Sequence, residues 1–176
     1  MAPKKRSTTS KVSSAAPDFE TPLEARWAVF LSALGAPFSY QAEQHQFRSQ
    51  SYRPDFWVPD WNSWIEVLPE QPQKLDVFRA LDLSRNSGKQ VLLLIGEPAE
   101  YSIVLFDPSG YFAKEGSAGW QFGQGQNDPN EVWLASEDGA FTLKPLVEDE
   151  GEAYPLLGED ATTIMDALYA AHIAEV

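Results

Sequence analysis

The spacing of apolar positions changes character several times along the chain, and each change predicts an element. From 22 to 34, Leu23, Trp27, Phe30, Leu31 and Leu34 recur at the helical period, with Thr21 as N-cap, Pro22 at the first helical position and Gly35 as the stop. Pro37 to Glu43 alternates weakly and suits a strand, leading through a polar stretch around His45, read as a solvated loop histidine. Tyr52 to Val58 and Ser63 to Leu68 are rich in aromatic and β-branched residues, and the short turn at Asn62 predicts that they pair as a hairpin. The helical period returns in Leu75, Phe78, Leu81 and Leu83, predicting a helix from Gln73 to Asn86 that Ser87-Gly88 closes. Gln90 to Ile95 then runs unbroken as apolar chain after its first residue, the pattern of a strand covered on both faces.

The second half repeats the strand pattern at Ser102–Phe106, Glu131–Ala135 and Ala140–Lys144, with turns at Asp107-Pro108, in the glycine-rich Gly116 to Gly125 stretch and at Asp138-Gly139. Ile164, Leu168 and Ala171 place a last helix over 160–174. The expected organisation is α/β. A disordered basic tail over 1–19 precedes an α/β core over 20–99, then a β extension over 100–147, and an acidic connector with a C-terminal helix over 148–176. A content of 43% hydrophobic and 12% aromatic residues is ample for one core.

Charge narrows the choice of partners. The chain carries −13 overall, yet Lys4, Lys5, Arg6 and Lys11 all fall within residues 1–17, which hold no acid, so the body beyond them is more negative still. Such a body repels phosphate backbones except at a local basic strip or a bound cation, which argues against broad nucleic-acid binding. The Pro3–Arg6 cluster has the composition of a nuclear import signal or a phosphate-seeking arm, and also of an ordinary basic chain end. With no cysteine there is neither a disulfide nor a thiolate metal site, and His45 and His172 stand far apart. The absence of a long apolar run or an apolar signal region leads to the expectation of a cytoplasmic protein with no membrane segment.

The candidate chemistry lies in the central hairpin. Asp55 and Glu66 face one another across it if the register allows, and two carboxylates on a buried sheet repel. A divalent cation between them would remove that repulsion, because hard cations take oxygen ligands. Pro54-Asp55, then Glu66-Val67-Leu68, preceded by a helix bearing Glu24-Ala-Arg-Trp27, resembles the PD-(D/E)XK nuclease superfamily over roughly residues 20 to 100.

The resemblance implies a restriction-endonuclease-like core of helix, three-stranded meander, helix and buried strand. It further implies a metal-dependent DNA endonuclease in which Asp55, Glu66 and the Val67 carbonyl, with Glu24, hold Mg²⁺ or Mn²⁺. Where the family has its lysine this chain has Leu68, so activity is expected to be impaired; Lys74 and Arg79 are the cations that a neighbouring helix can offer instead. Glu24 has a second role open to it, since three residues after Thr21 is the capping-box position, from which its carboxylate reaches the Thr21 backbone N–H. Arg48, Arg53 and Arg79 are candidates for holding phosphate, with ordinary surface roles as the plainer assignment. The alternative function is an inactive nuclease-like fold that binds protein or nucleic acid.

Other chemistries find no support. The glycines of the 116–125 stretch lack a following Gly-Lys-Ser/Thr, so they form no phosphate loop, and Trp120 and Trp133 suit core filling better than base stacking. Acidic residues 148–160 read as solvated connector, with a basic partner as the alternative.

Overall fold

A computed structural model describes residues 17–47, 50–108, 121–122, 131–137, 140–145 and 159–176. Among these the chain is mixed α/β, with three α-helices and a mixed five-stranded sheet. The Pro3–Arg6 cluster, Arg48, Trp120 and most of the acidic connector lie outside the described residues.

Helix α1, Pro22–Ala33, begins as its sequence requires: Thr21 is extended and its hydroxyl accepts the Glu24 N–H at 3.2 Å. Strand β1 is shorter than the alternation suggested, Ser39–Tyr40. The expected single strand from Tyr52 to Val58 is divided. Gln50–Tyr52 (β3) pairs with His45–Phe47 (β2) in a separate ribbon, the chain bends at Asp55, and Phe56–Val58 (β4) joins the main sheet. Proline at 54 supplies no N–H to continue a ladder, which explains a break at this point. The hairpin to β5, Ser63–Leu68, turns through a 3-10 segment, Pro59–Trp61, and a left-handed Asn62 with φ 50°.

Helix α2, Lys74–Ser87, ends on Gly88 at φ 66° and returns the chain to β6, Gln90–Glu97, parallel to β5. Strand β7, Glu100–Phe106, closes a hairpin on β6, giving the sheet order β1-β4-β5-β6-β7. A short strand that the pattern had not signalled, β8 (Gln121–Phe122), joins β9 (Glu131–Glu137) and β10 (Ala140–Pro145) in a separate three-stranded sheet. Helix α3, Glu159–His172, packs on α1.

Strand alternation divides the interior between the two faces of the five-stranded sheet. Leu92, Leu94, Phe56 and Ile65 pack toward Trp27, Phe30 and Leu31 of α1 and Ile164 and Leu168 of α3. Val91, Leu93, Ile95 and Trp64 pack toward Ala80 and Leu83 of α2 and toward Tyr52. Phe19, placed in the tail by composition, packs against Tyr40 and Phe56, with ring centroids 4.9 and 6.3 Å away. The face that α2 buries also differs from expectation. Leu75 and Phe78 are exposed, whereas Ala80, Leu83 and Ser84 are buried, with Val77 and Leu81 beside them. Small residues at 80 and 84 let the helix sit close to the sheet, and the larger pair is turned away from it.

Candidate functional site

The β4–β5 ladder ends at Phe56↔Ile65, while β5 continues to Leu68. Asp55, at the bend just before β4, occupies the position that would face Glu66 if the ladder ran one step further. Its Oδ2 accepts the Val67 N–H at 2.7 Å, a bond that takes the place of a cross-strand carbonyl where the ladder stops. Glu66 projects to the α2 side, where the hydroxyl of buried Tyr52 donates to its Oε2 at 3.1 Å. These bonds use one oxygen of each carboxyl and leave Oδ1 of Asp55 and Oε1 of Glu66 uncommitted by them.

The two acids are close enough to disturb each other's ionisation. Burial, and after it the charge of Asp55, pushes the Glu66 carboxyl up to about 8; Asp76 adds to the shift, while the Tyr52 bond and Arg79 oppose it. Burial likewise pushes Asp55 up to about 7 against the Val67 N–H bond, with Glu24 and Glu20 adding to the rise and Arg53 opposing it. Near neutral pH the pair therefore retains protons that exposed carboxyls would have released. Tyr52, buried beside Glu66 and Asp55, is held well above its ordinary value, first by burial and then by the Glu66 charge.

Glu24 stands at the edge of this group as a structural acid. Its Oε1 accepts the Thr21 hydroxyl at 2.8 Å, and its Oε2 accepts the Tyr40 hydroxyl at 2.6 Å and the backbone N–H of Glu20 at 3.1 Å. The capping arrangement is thus formed one residue earlier than the sequence suggested, on the N–H of Glu20 and the side chain of Thr21. With both oxygens engaged, Glu24 acts on Asp55 through its charge.

Of the candidate cations, Arg79 is the one that the fold brings beside Glu66. It lies on α2 with its guanidinium carbon 6.0 Å from the Tyr52 ring centre, and its Nε is buried without a hydrogen-bond partner. Lys74 is exposed in the first turn of α2 and makes no hydrogen bond or ion pair to either acid. Arg53 bonds Glu20 at 3.3 Å and remains exposed. Leu68 shares the Glu66 face and packs with the apolar cluster around Trp64 and Leu93.

Sequence reasoning missed Tyr52 and Asp76. Tyr52 opens the motif stretch, where the pattern marks it only as a strand residue; Asp76 stands three residues after Gln73, the capping-box spacing, and its Oδ2 accepts the Gln73 N–H at 2.8 Å. Among the described residues no three His, Cys, Asp or Glu side chains are grouped to hold a metal ion. A cation at this place would have Asp55, Glu66 and backbone oxygen to rest on. The donor set is all oxygen, and a divalent charge would oppose the burial, and after it the neighbouring acids, that hold the pair's protons. No family model, no curated protein and no solved structure matches the chain.

Proposed function

We propose that the chain is a divergent member of the PD-(D/E)XK nuclease superfamily and acts as a weak metal-dependent DNA endonuclease. One observation carries this reading: Asp55, at the bend before β4, and Glu66, on β5, come together where the ladder ends, and each is shifted upward as a shielded acidic pair requires. The element order adds support. A helix, three sheet strands, a helix and a parallel strand follow in the sequence of a restriction-endonuclease-like core, with the β2–β3 ribbon as an insertion.

In this reading Asp55, Glu66 and the Val67 carbonyl hold Mg²⁺ or Mn²⁺, which when bound supplies Lewis acidity toward a phosphodiester and lowers the pKa of water. The protein's own groups set the conditions. The Val67 N–H fixes Asp55, the Tyr52 hydroxyl fixes Glu66, and Arg79 offers positive charge to phosphate without being able to serve as a base. Leu68 leaves the family's ammonium position apolar, and losing one preorganised charge-stabilising group lowers a rate by roughly a hundredfold to a thousandfold.

Full-length protein incubated with single- and double-stranded DNA and RNA in Mg²⁺, Mn²⁺ or EDTA tests the proposal. Slow metal-dependent cleavage is expected, abolished by Asp55→Ala and increased by Leu68→Lys by roughly the same hundredfold or more. Inertness of both the natural chain and a folded Leu68→Lys variant in either metal would sink it. That outcome would favour the second reading, a catalytically silent fold that binds a protein or nucleic acid: the packing of Leu68 in an apolar cluster fits the loss of catalysis, and the −13 charge favours a protein partner.

A further inference from the structure

On the α2 side of the sheet, aromatic rings mostly serve the interior. Tyr52 and Trp64 are buried there, and His45, expected in a solvated loop, meets the Trp64 ring edge-on at 4.9 Å. Phe78 does the opposite. It stands on the outer face of α2 and is 61% exposed, with Leu75, one turn before it, 43% exposed. One apolar side chain in water is ordinary, but here the pair sits among positive charges one turn from the carboxylate site.

Lys74 precedes Phe78 by one turn, exposed Arg85 follows it by two, and Arg79 lies on the edge of the helix turned to Tyr52 and Glu66. Among the described residues none of these three cations makes an ion pair with a carboxylate, although the chain has 26 acids to 13 Lys and Arg. Arg26 and Arg53, by contrast, pair with Glu97 and Glu20. The nearby acids do not engage the three: Asp76 is held on the Gln73 N–H at 2.8 Å, and Asp82 on the same face and Glu70 before the helix form no ion pair with them. Residues 73–90 hold Lys74, Arg79, Arg85 and Lys89 against Asp76 and Asp82, a local positive strip on a strongly negative chain.

We propose that the outer face of α2 binds single-stranded DNA and leads it to the carboxylate pair, so that an unpaired strand is the substrate class of the activity proposed above, on which this inference rests. Phe78 supplies a ring for one base to stack on, Lys74 and Arg85 hold phosphates to either side, and Arg79 holds one beside Glu66. A duplex fits this face poorly. Its bases are stacked on one another and offer no free ring to Phe78, and three or four cations are too few to hold a duplex through phosphates alone against the charge of the whole chain.

Fluorescence anisotropy of a labelled oligothymidylate of about 12 nucleotides, titrated with the full chain in EDTA so that nothing is cleaved, tests it. Saturable binding is expected, about tenfold tighter than that of a duplex of the same length. Lys4, Lys5, Arg6 and Lys11 attract the phosphates of either form, so the preference between them reads α2. Phe78→Ala should weaken single-strand binding about fivefold or more, and Phe78→Tyr, which keeps a ring, should retain it. Lys74→Gln with Arg85→Gln should make the slope of log affinity against log salt shallower by about 1.4, since each phosphate contact on a single strand contributes roughly 0.7. All these side chains face solvent, and unchanged urea midpoints confirm that the variants are folded. Binding without cleavage in Mg²⁺ or Mn²⁺ supports this face as a strand-binding surface and sinks the nuclease reading alone. Duplex bound as tightly as single strand, or single-strand binding indifferent to Phe78→Ala, overturns the inference even where cleavage is seen, and tighter binding of oligouridylate overturns the assignment to DNA.

Discussion

Asp55 holds its place because the Val67 N–H has no strand opposite it, and that one bond sets where its charge can go. The folded chain keeps protons on Asp55 and Glu66 up to about 7 and about 8, against ordinary values of 3.8 and 4.5. Across that interval the native state binds more protons than the unfolded chain, so metal-free stability must fall as pH rises. Urea midpoints in EDTA are expected to be lower at pH 8 than at pH 5. Asp55→Asn should flatten much of the slope, since the amide oxygen can still accept the Val67 N–H while one titrating acid, and its charge beside Glu66, is gone. If the proposed ion binds here, Mn²⁺ should raise the midpoint more at pH 8 than at pH 5, because ion and protons would compete for the same oxygens. A midpoint that climbs between pH 5 and pH 8 without metal would contradict the assigned burial of the pair.

At the scale of elements, the β6–β7 hairpin anchors α1 to the sheet. The Trp27 indole N–H donates to the Gly96 carbonyl at 3.0 Å, and Arg26 pairs with Glu97 at 2.8 Å on the exposed side. Gly96 sits at φ 89°, and a Cβ there would lie 2.7 Å from the Glu100 carbonyl oxygen, a backbone atom that cannot swing aside. Gly96→Ala is therefore expected to destabilise the fold by about 1–3 kcal/mol, measured by chemical denaturation. An unchanged midpoint would show that the hairpin relaxes without cost. By contrast, Cβ atoms at Gly35 and Gly88 would meet nothing within 4 Å, so only the backbone angle constrains those helix ends.

For the molecule as a whole, one sheet serves two interiors. Adjacent residues Leu92 and Leu93 are both fully buried, the first among α1 and α3 and the second among α2 and the β2–β3 ribbon. If the sheet makes the two interiors one cooperative unit, Leu92→Ala and Leu93→Ala should each cost about 2–5 kcal/mol and lower the same transition. Coincident near- and far-ultraviolet circular dichroism melts for both variants check this; separate transitions would mean that the two layers unfold independently. Among the described residues no helix is long and apolar enough to cross a membrane.

Local chemistry reads directly from sequence, and here it identified the helix ends at Thr21-Pro22 and Gly88, the doubly covered strand through Leu92–Leu94, and the spacing of Asp55 and Glu66. Caps and alternation depend on a few consecutive residues, so their physics is present in the string. The division of Tyr52 from Phe56, the choice of Arg79 over Lys74 beside Glu66, the outward turn of Leu75 and Phe78, and the meeting of His45 with Trp64 were settled by packing between distant segments. Each depends on which layer an element presses against, and that is fixed when apolar area on both sheet faces is buried together, a global condition that no short window of residues contains.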